Sequence, residues 1–145
     1  MFTIEDAILL AASAHKGQKD LDGKPVILHP LTVGLAGKTE DEIICGILHD
    51  VLEDTDVSVD AMLGLGVPEN IVDTLLLPTH DNEVPYMDYV LNICESGNLT
   101  ALHVKLNDLH HNLSRGVEGG HEKQVVKHMA ALKFVKEYMV EHHLQ

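Results

Sequence analysis

Two histidines and two aspartates, His29, His49, Asp50 and Asp108, are the residues of this chain best suited to chemistry, with Glu53 and Asp54 a helical turn beyond the His-Asp pair. Two imidazoles and two carboxylates form a donor set that a first-row divalent cation accepts. An acidic pair beside such a cation suits a centre that activates water. Taken singly, each residue has a plainer reading. A His before a Pro is commonly a turn residue, and an acid on an amphipathic helix is commonly just solvated. The combination is harder to explain structurally. Ionisable groups within Ile47-Leu48-His49-Asp50-Val51-Leu52-Glu53-Asp54 carry a burial cost unless a metal or partner offsets it.

The elements that must position these groups read as helices. Ile43, Ile44, Ile47, Leu48, Val51 and Leu52 recur at the spacing of a buried helix face. Thr39 is a candidate N-cap and acidic residues follow it, so the spacing predicts a helix over about 40–53. His49 and Glu53 are then neighbours on one edge, as are Asp50 and Asp54. Pro30 biases His29 away from the helical region and can open a short helix over 30–37. Leu102, Leu106, Leu109 and Leu113 mark a further helix that carries Asp108, and Lys105 and Asn112 share its face.

At these residues the chain resembles the HD-domain metal-dependent phosphohydrolases, in the RelA/SpoT-type alarmone hydrolase branch. The resemblance starts at Ala14-His15-Lys16-Gly17-Gln18 and passes through Gly23-x-Pro25 and His29-Pro30. It continues with Leu48-His49-Asp50-Val51-Leu52-Glu53-Asp54-Thr55 and ends at Lys105-Leu106-Asn107-Asp108-Leu109-x-x-Asn112. The resemblance implies that His29, His49, Asp50 and Asp108 bind one divalent ion, typically manganese. It implies that Glu53 and Asp54 assist the attacking water and that Lys105 and Asn112 line a nucleotide pocket. The reaction it implies removes the 3′-pyrophosphate from (p)ppGpp or (p)ppApp, leaving a nucleoside 5′-phosphate and pyrophosphate.

Many hydrolases of this branch carry an Arg-Lys pair before Gly-x-Pro-Tyr, where a guanidinium can stack on the base. Here the segment reads Gln18-Lys19-Asp20-Leu21-Asp22-Gly23-Lys24-Pro25-Val26, without the Arg or the Tyr. That departure keeps alive a second reading, an HD phosphohydrolase acting on another nucleotide or phosphoester. A third reading, a silent HD nucleotide-sensing module, is disfavoured because all four ligands and both acids are present.

The chain has 145 residues, enough for one domain over 1–145 that buries about 70% of its unfolded surface. Cys45 and Cys94 are isolated in apolar helical patterns and read as buried, reduced thiols. The acidic start Met1-Phe2-Thr3-Ile4-Glu5-Asp6 is unlike a signal peptide, and no apolar run approaches a membrane span. A soluble cytoplasmic protein is expected, with homo-oligomerisation left open. A formal charge of −13 argues against a nucleic-acid partner, which needs a basic face. A phosphorylated small molecule then requires local positive charge, from the cation and from candidates such as Lys16, Lys19, Lys24, Lys105 or Arg115. Lys105 is the strongest of these.

Elsewhere, Thr3 and Asp6 suggest a capping box for a helix running to Gly17, with His15 near its end as either a positioning or a merely satisfied histidine. Residues 17–28 read as loop. Ser58 or Asp56 caps a helix ending at Gly64, Pro68 opens another to about Leu77, and 78–85 is a loop. The second His-Asp pair, His80-Asp81, lies in that loop and is rejected as a ligand pair. Tyr86 opens the next helix, and Tyr86 and Tyr89 read as core before base platform. A last helix covers 121–143, with Val125, Val126, Met129, Leu132, Val135 and Val140 inward and its histidines at the surface. His110 and His111 adjoin a mononuclear pattern. The expected fold is all-α, seven or eight helices around one core.

Overall fold

The computed structural model describes residues 1–79 and 83–145; the rejected His80-Asp81 pair lies outside the described residues. In chain order the helices are α1 Ile4–His15, α2 Leu28–Leu35, α3 Glu40–Leu48, α4 Val51–Asp54, α5 Val59–Gly64, α6 Glu69–Leu76, α7 Tyr86–Glu95, α8 Leu99–Gly119 and α9 Glu122–Glu141. The expected all-α architecture holds.

The caps explain several boundaries. Thr3 and Asp6 form the reciprocal capping box of α1, while the side chains of Thr39, Ser58 and Asn98 accept from the backbone at the starts of α3, α5 and α8. Each such cap is worth about 1 kcal/mol. Gly120 ends α8 with φ +72°, a left-handed conformation that a side chain would strain, and so turns the chain back into α9.

Buried apolar residues form two clusters. One gathers Ala7, Val33, Ile44, Ile47, Leu48, Val51, Met62 and Leu75 from α1 to α6, together with Val104 of α8. The other joins Tyr89, Val90, Ile93, Leu102, Leu109, Ala131 and Val135 from α7, α8 and α9. Helix α8 therefore contributes to both. Helices α2 and α3 touch closely: a Cβ on Gly46 would stand 2.8 Å from the Gly34 Cα, so only glycine permits this approach. That contact brings the His29 and His49 helices together.

Three expectations need correction. The predicted 40–53 helix is broken after Leu48, and Asp50 adopts φ −99°, ψ −2° before α4. His49 Nδ1 donates to the Gly46 carbonyl at 2.6 Å, the acceptor a continuous helix would offer to the Asp50 N–H. Apolar periodicity persists through such a kink and does not reveal it. Second, His29 lies inside α2, which begins at Leu28, so the restriction imposed by Pro30 is overridden by packing. Third, Val126, Met129 and Val140 of α9 are exposed, and the inward stripe is instead His128, Ala131, Leu132, Val135 and Met139. A polar residue heads that stripe, which is why an apolar reading missed it.

Candidate metal centre

His29 from α2, His49 and Asp50 from the α3–α4 kink, and Asp108 from α8 converge at the seam between the two apolar clusters. His29, His49 and Asp50 offer ligand atoms that all lie within 4.8 Å of one another. Asp108 Oδ1 stands 2.8 Å from His29 Nε2 and 3.3 Å from His49 Nε2, and Asp50 Oδ2 lies 3.3 Å from the same His49 nitrogen. Both imidazoles are buried, and each has its second nitrogen held by the protein. His49 Nδ1 is engaged by Gly46, while His29 Nδ1 is 2.7 Å from His111 Nδ1, with the two rings stacked at 5.0 Å. Orientation of both rings through their outer nitrogens is what a metal-binding histidine pair requires, so the donor set fits a divalent cation.

The surroundings set the charges. Burial lowers His29. Burial would also lower His49, but Asp50 and Asp108 outweigh it and raise that imidazole to about 9. Burial opposes ionisation of Asp108, yet Lys105 and the two histidines hold its carboxyl well below the usual range. Lys105 Nζ donates to Asp108 Oδ2 at 3.0 Å and lies over the Tyr86 and Tyr89 rings at 5.4 and 5.1 Å. This lysine is buried beneath Asp108. Its desolvation is outweighed by that carboxylate, and its pKa is raised.

A cavity of about 240 Å³ opens above these groups and includes Glu53, Asp54, Lys105 and Asn112 in its wall. Asp54 is an exposed residue, but its carboxyl is raised, first by desolvation at the wall and then by the charge of Asp50. Its backbone is tied down from α1: Gln18 Nε2 donates to the Asp54 carbonyl at 2.8 Å, and buried His15 holds Gln18 at 2.8 Å. His15 thus supports the acidic segment. Asn112 Nδ2 donates to Asp108 Oδ1 at 3.0 Å, and its own Oδ1 accepts from Arg115.

Sequence reasoning missed His128 and Lys127, which reach the same cavity from α9. Burial lowers His128 to about 4, and its Nδ1 is buried with no hydrogen-bond partner among the described residues. The inward stripe of α9, read at 128, 131, 135 and 139, is the signal that points His128 inward. His111, which the sequence places beside a mononuclear pattern, contacts His29 directly. Cys45 and Cys94 are both buried and free, and among the described residues no helix is long and apolar enough to cross a membrane.

No family model matches the chain. It is 41% identical over 61 residues to a guanosine-3′,5′-bis(diphosphate) 3′-pyrophosphohydrolase of Aquifex aeolicus, a match covering 39% of this chain and 9% of the relative. The corresponding enzyme of Vibrio cholerae is 37% identical over 73 residues, covering 46% and 10%. A GTP pyrophosphokinase of Myxococcus xanthus is 41% identical over 56 residues, covering 36% and 7%. The chain thus spans a tenth or less of the length of these curated relatives. The solved structure of a metazoan ortholog of SpoT that hydrolyzes ppGpp superposes with a TM-score of 0.68 at 21% identity, over 98% of this chain and 96% of the other. The chain has the fold of that metazoan SpoT ortholog. Within this fold, the His-Asp kink and the α8 aspartate meet at the seam where the cavity opens.

Proposed function

We propose that the chain is a metal-dependent pyrophosphohydrolase that removes the 3′-pyrophosphate from an alarmone nucleotide, (p)ppGpp or (p)ppApp, with residues 1–145 as one HD phosphohydrolase domain. The observation that carries this reading is the convergence of His29, His49, Asp50 and Asp108 beside a cavity walled by Glu53 and Asp54. The similarity to named 3′-pyrophosphohydrolases supports it.

In this reading His29, His49, Asp50 and Asp108 hold one divalent ion, with manganese the expected metal. When bound, such an ion supplies Lewis-acid polarisation of a phosphoryl oxygen and a lowered pKa for water. Gly46 and His111 keep the two imidazoles aimed inward. Glu53 or Asp54 takes a proton from the attacking water, whose oxygen bonds to the phosphorus attached to the 3′ oxygen. That P–O bond breaks, pyrophosphate departs, and the 3′ oxygen takes the proton that the acid gives back. Asn112 lines the nucleotide pocket, and the cationic side chains of Lys105, Arg115 and Lys127 in the cavity wall offset substrate charge in a chain whose overall charge is −13. The free thiols Cys45 and Cys94 suit a reducing cytoplasm.

The segment Gln18-Lys19-Asp20-Leu21-Asp22-Gly23-Lys24-Pro25-Val26 lacks the Arg-Lys pair and the Tyr of many hydrolases of the branch it resembles, which favours a second reading, hydrolysis of another nucleotide or phosphoester at the same centre. Product analysis of ppGpp and pppApp separates the two. Manganese-loaded protein should release pyrophosphate, whereas chelated protein and Asp50→Ala should not. Turnover of neither alarmone by a protein that still binds manganese would reject the alarmone reading.

A further inference from the structure

The clamp on the acidic segment comes from the end of α1 and uses two residues that the proposed chemistry leaves idle. Helix α4 is one turn, Val51–Asp54, too short to be stable on its own. Thr55 closes part of it from within, since its N–H and its Oγ1 both donate to the Val51 carbonyl, at 3.1 and 2.7 Å. The Asp54 carbonyl lies past the helix's own donors. It is met from 36 positions away, by the Gln18 side-chain amide at 2.8 Å. A carbonyl oxygen only accepts, so the amide nitrogen of Gln18 faces Asp54 and the amide oxygen faces His15. That oxygen also only accepts, so His15 Nδ1 is the donor in their 2.8 Å contact and the tautomer of the ring is set.

Local sequence makes this pairing. Lys16 at φ −54°, ψ 126° and Gly17 at φ +89° are the central residues of a type II turn, closed by the Gln18 N–H on the His15 carbonyl at 3.0 Å. The turn needs a positive φ at its third position, which glycine adopts without strain. His15 and Gln18 are thereby brought side by side where α1 ends. His15 is 1% exposed. Its Nε2 is buried with no hydrogen-bond partner among the described residues, so the contact with Gln18 is the side chain's one hydrogen bond among them. A buried imidazole with one nitrogen unsatisfied costs stability, so packing alone does not account for a histidine here. Burial and the charge of Asp50 raise the Asp54 carboxyl, and positive charge on His15 opposes that rise. His15 therefore bears on Asp54 twice, through the Gln18 clamp and through the field at the carboxyl.

On the hydrolase reading above, we infer that His15 and Gln18 are positioning residues of the reaction that act through Asp54, and that Asp54 rather than Glu53 takes the proton of the attacking water. Gln18 fixes the backbone on which the Asp54 carboxyl stands, and His15 fixes the Gln18 amide. The carboxylate accepts the proton as the water oxygen bonds to phosphorus, and returns it to the 3′ oxygen as the P–O bond breaks. A group that must meet a water in one direction loses rate when the segment carrying it wanders.

The test is a double-mutant cycle on ppGpp and ppApp hydrolysis by manganese-loaded protein, with manganese affinity and amide hydrogen exchange read on the same variants. Gln18 is half-buried, and its variants should fold. Gln18→Ala should lower kcat by roughly 10- to 100-fold, since misplacement by about 1 Å costs up to about 10²-fold. KM and manganese affinity should stay within about twofold. Amides over 51–55 should exchange faster while those of α8 do not. In an Asp54→Asn background Gln18→Ala should cost little more, whereas in a Glu53→Gln background it should cost its full factor. His15→Asn, whose amide nitrogen is bonded to Cγ as Nδ1 is, should retain more activity than His15→Gln. Equal losses in the two backgrounds would make the clamp merely structural, and absorption of the loss by Glu53→Gln would make Glu53 the acceptor; either overturns the inference. So does unchanged exchange over 51–55, or His15→Gln retaining more than His15→Asn. Should the His15 variants fail to fold, the Gln18 cycle alone decides. A wild type that hydrolyses neither nucleotide overturns the hydrolase reading and this inference together, whereas normal wild-type turnover with an indifferent Gln18→Ala overturns this inference alone.

Discussion

The interface between α3 and α8 carries two His–carboxylate groupings, and they differ instructively. Toward the start of both helices, Glu42 accepts from His103 Nδ1 at 3.1 Å. Its other oxygen accepts from the Lys38 backbone at 3.1 Å, and His103 Nε2 faces the Gln145 carbonyl. Further along, His49 meets Asp108, joined by His29 and Asp50. Glu42 has one partner per oxygen and is finished by them. At Asp108, one oxygen is shared among His29, His49 and Asn112, so several donors aim at a single point. Cavity size does not separate the two: the space beside Glu42 and His103 is about 390 Å³, larger than the 240 Å³ above the metal centre. Convergence of ligand atoms from three chain segments distinguishes a site from a satisfied pair.

The largest break in that contrast should come from Asp50→Ala. It removes a donor from the convergent grouping and leaves His49 without one of its two carboxylates. Loss of an outer-shell partner costs about 10–100-fold in metal affinity, so loss of a proposed ligand should exceed that. Manganese titration followed by electron paramagnetic resonance reads the affinity, and pyrophosphate release reads the activity. Affinity within a few-fold of wild type would remove Asp50 from the ligand set.

The next effect belongs to the cavity wall. Glu53→Gln and Asp54→Asn keep shape and remove a proton acceptor, and general-base assistance is worth about 10²–10⁴ in rate. One of the two should lose that much kcat at unchanged manganese affinity. If neither does, the proton leaves by another route and the acids act only through their charge.

His111 sharpens the comparison further, since its ring holds His29 Nδ1 as Gly46 holds His49. His111→Ala should weaken manganese binding by about 10–100-fold, the usual cost of a lost outer-shell partner. Circular dichroism checks that the helices persist. An unchanged manganese affinity would mean that stacking and burial alone orient His29.

How much of this was legible in the sequence follows from where each signal resides. The four converging residues were readable because each sits in a local pattern, His-Pro, His-Asp before two acids, and Asn-Asp on an apolar stripe. The all-α architecture followed from periodicity and caps. The kink at His49-Asp50 was not readable, because a side chain taking its own helix's carbonyl leaves the apolar spacing intact. His128 and Lys127 were missed because α9 reaches the cavity only after the Gly120 turn folds it back on α8. The His29–His111 contact spans 82 positions and no local pattern signals it.

The smallest expected effect tests the other member of the comparison. Glu42→Gln preserves shape and an acceptor oxygen but removes the charge facing His103 and adds a donor that one partner must meet. A net hydrogen bond is worth about 0.5–1.5 kcal/mol, and His103 is partly open to solvent, which weakens any ionic contribution. Stability should fall by about 1 kcal/mol, a shift of roughly 2–4 °C in Tm for a chain of this size. Manganese affinity and kcat should remain within about twofold, since Glu42 shares no hydrogen-bond partner with His49 or Asp108 and distant sites act additively. A calorimetric Tm measured beside a manganese titration separates the two readouts. Should manganese affinity fall with stability, the two groupings are coupled through α3, and the start of that helix belongs to the metal centre after all.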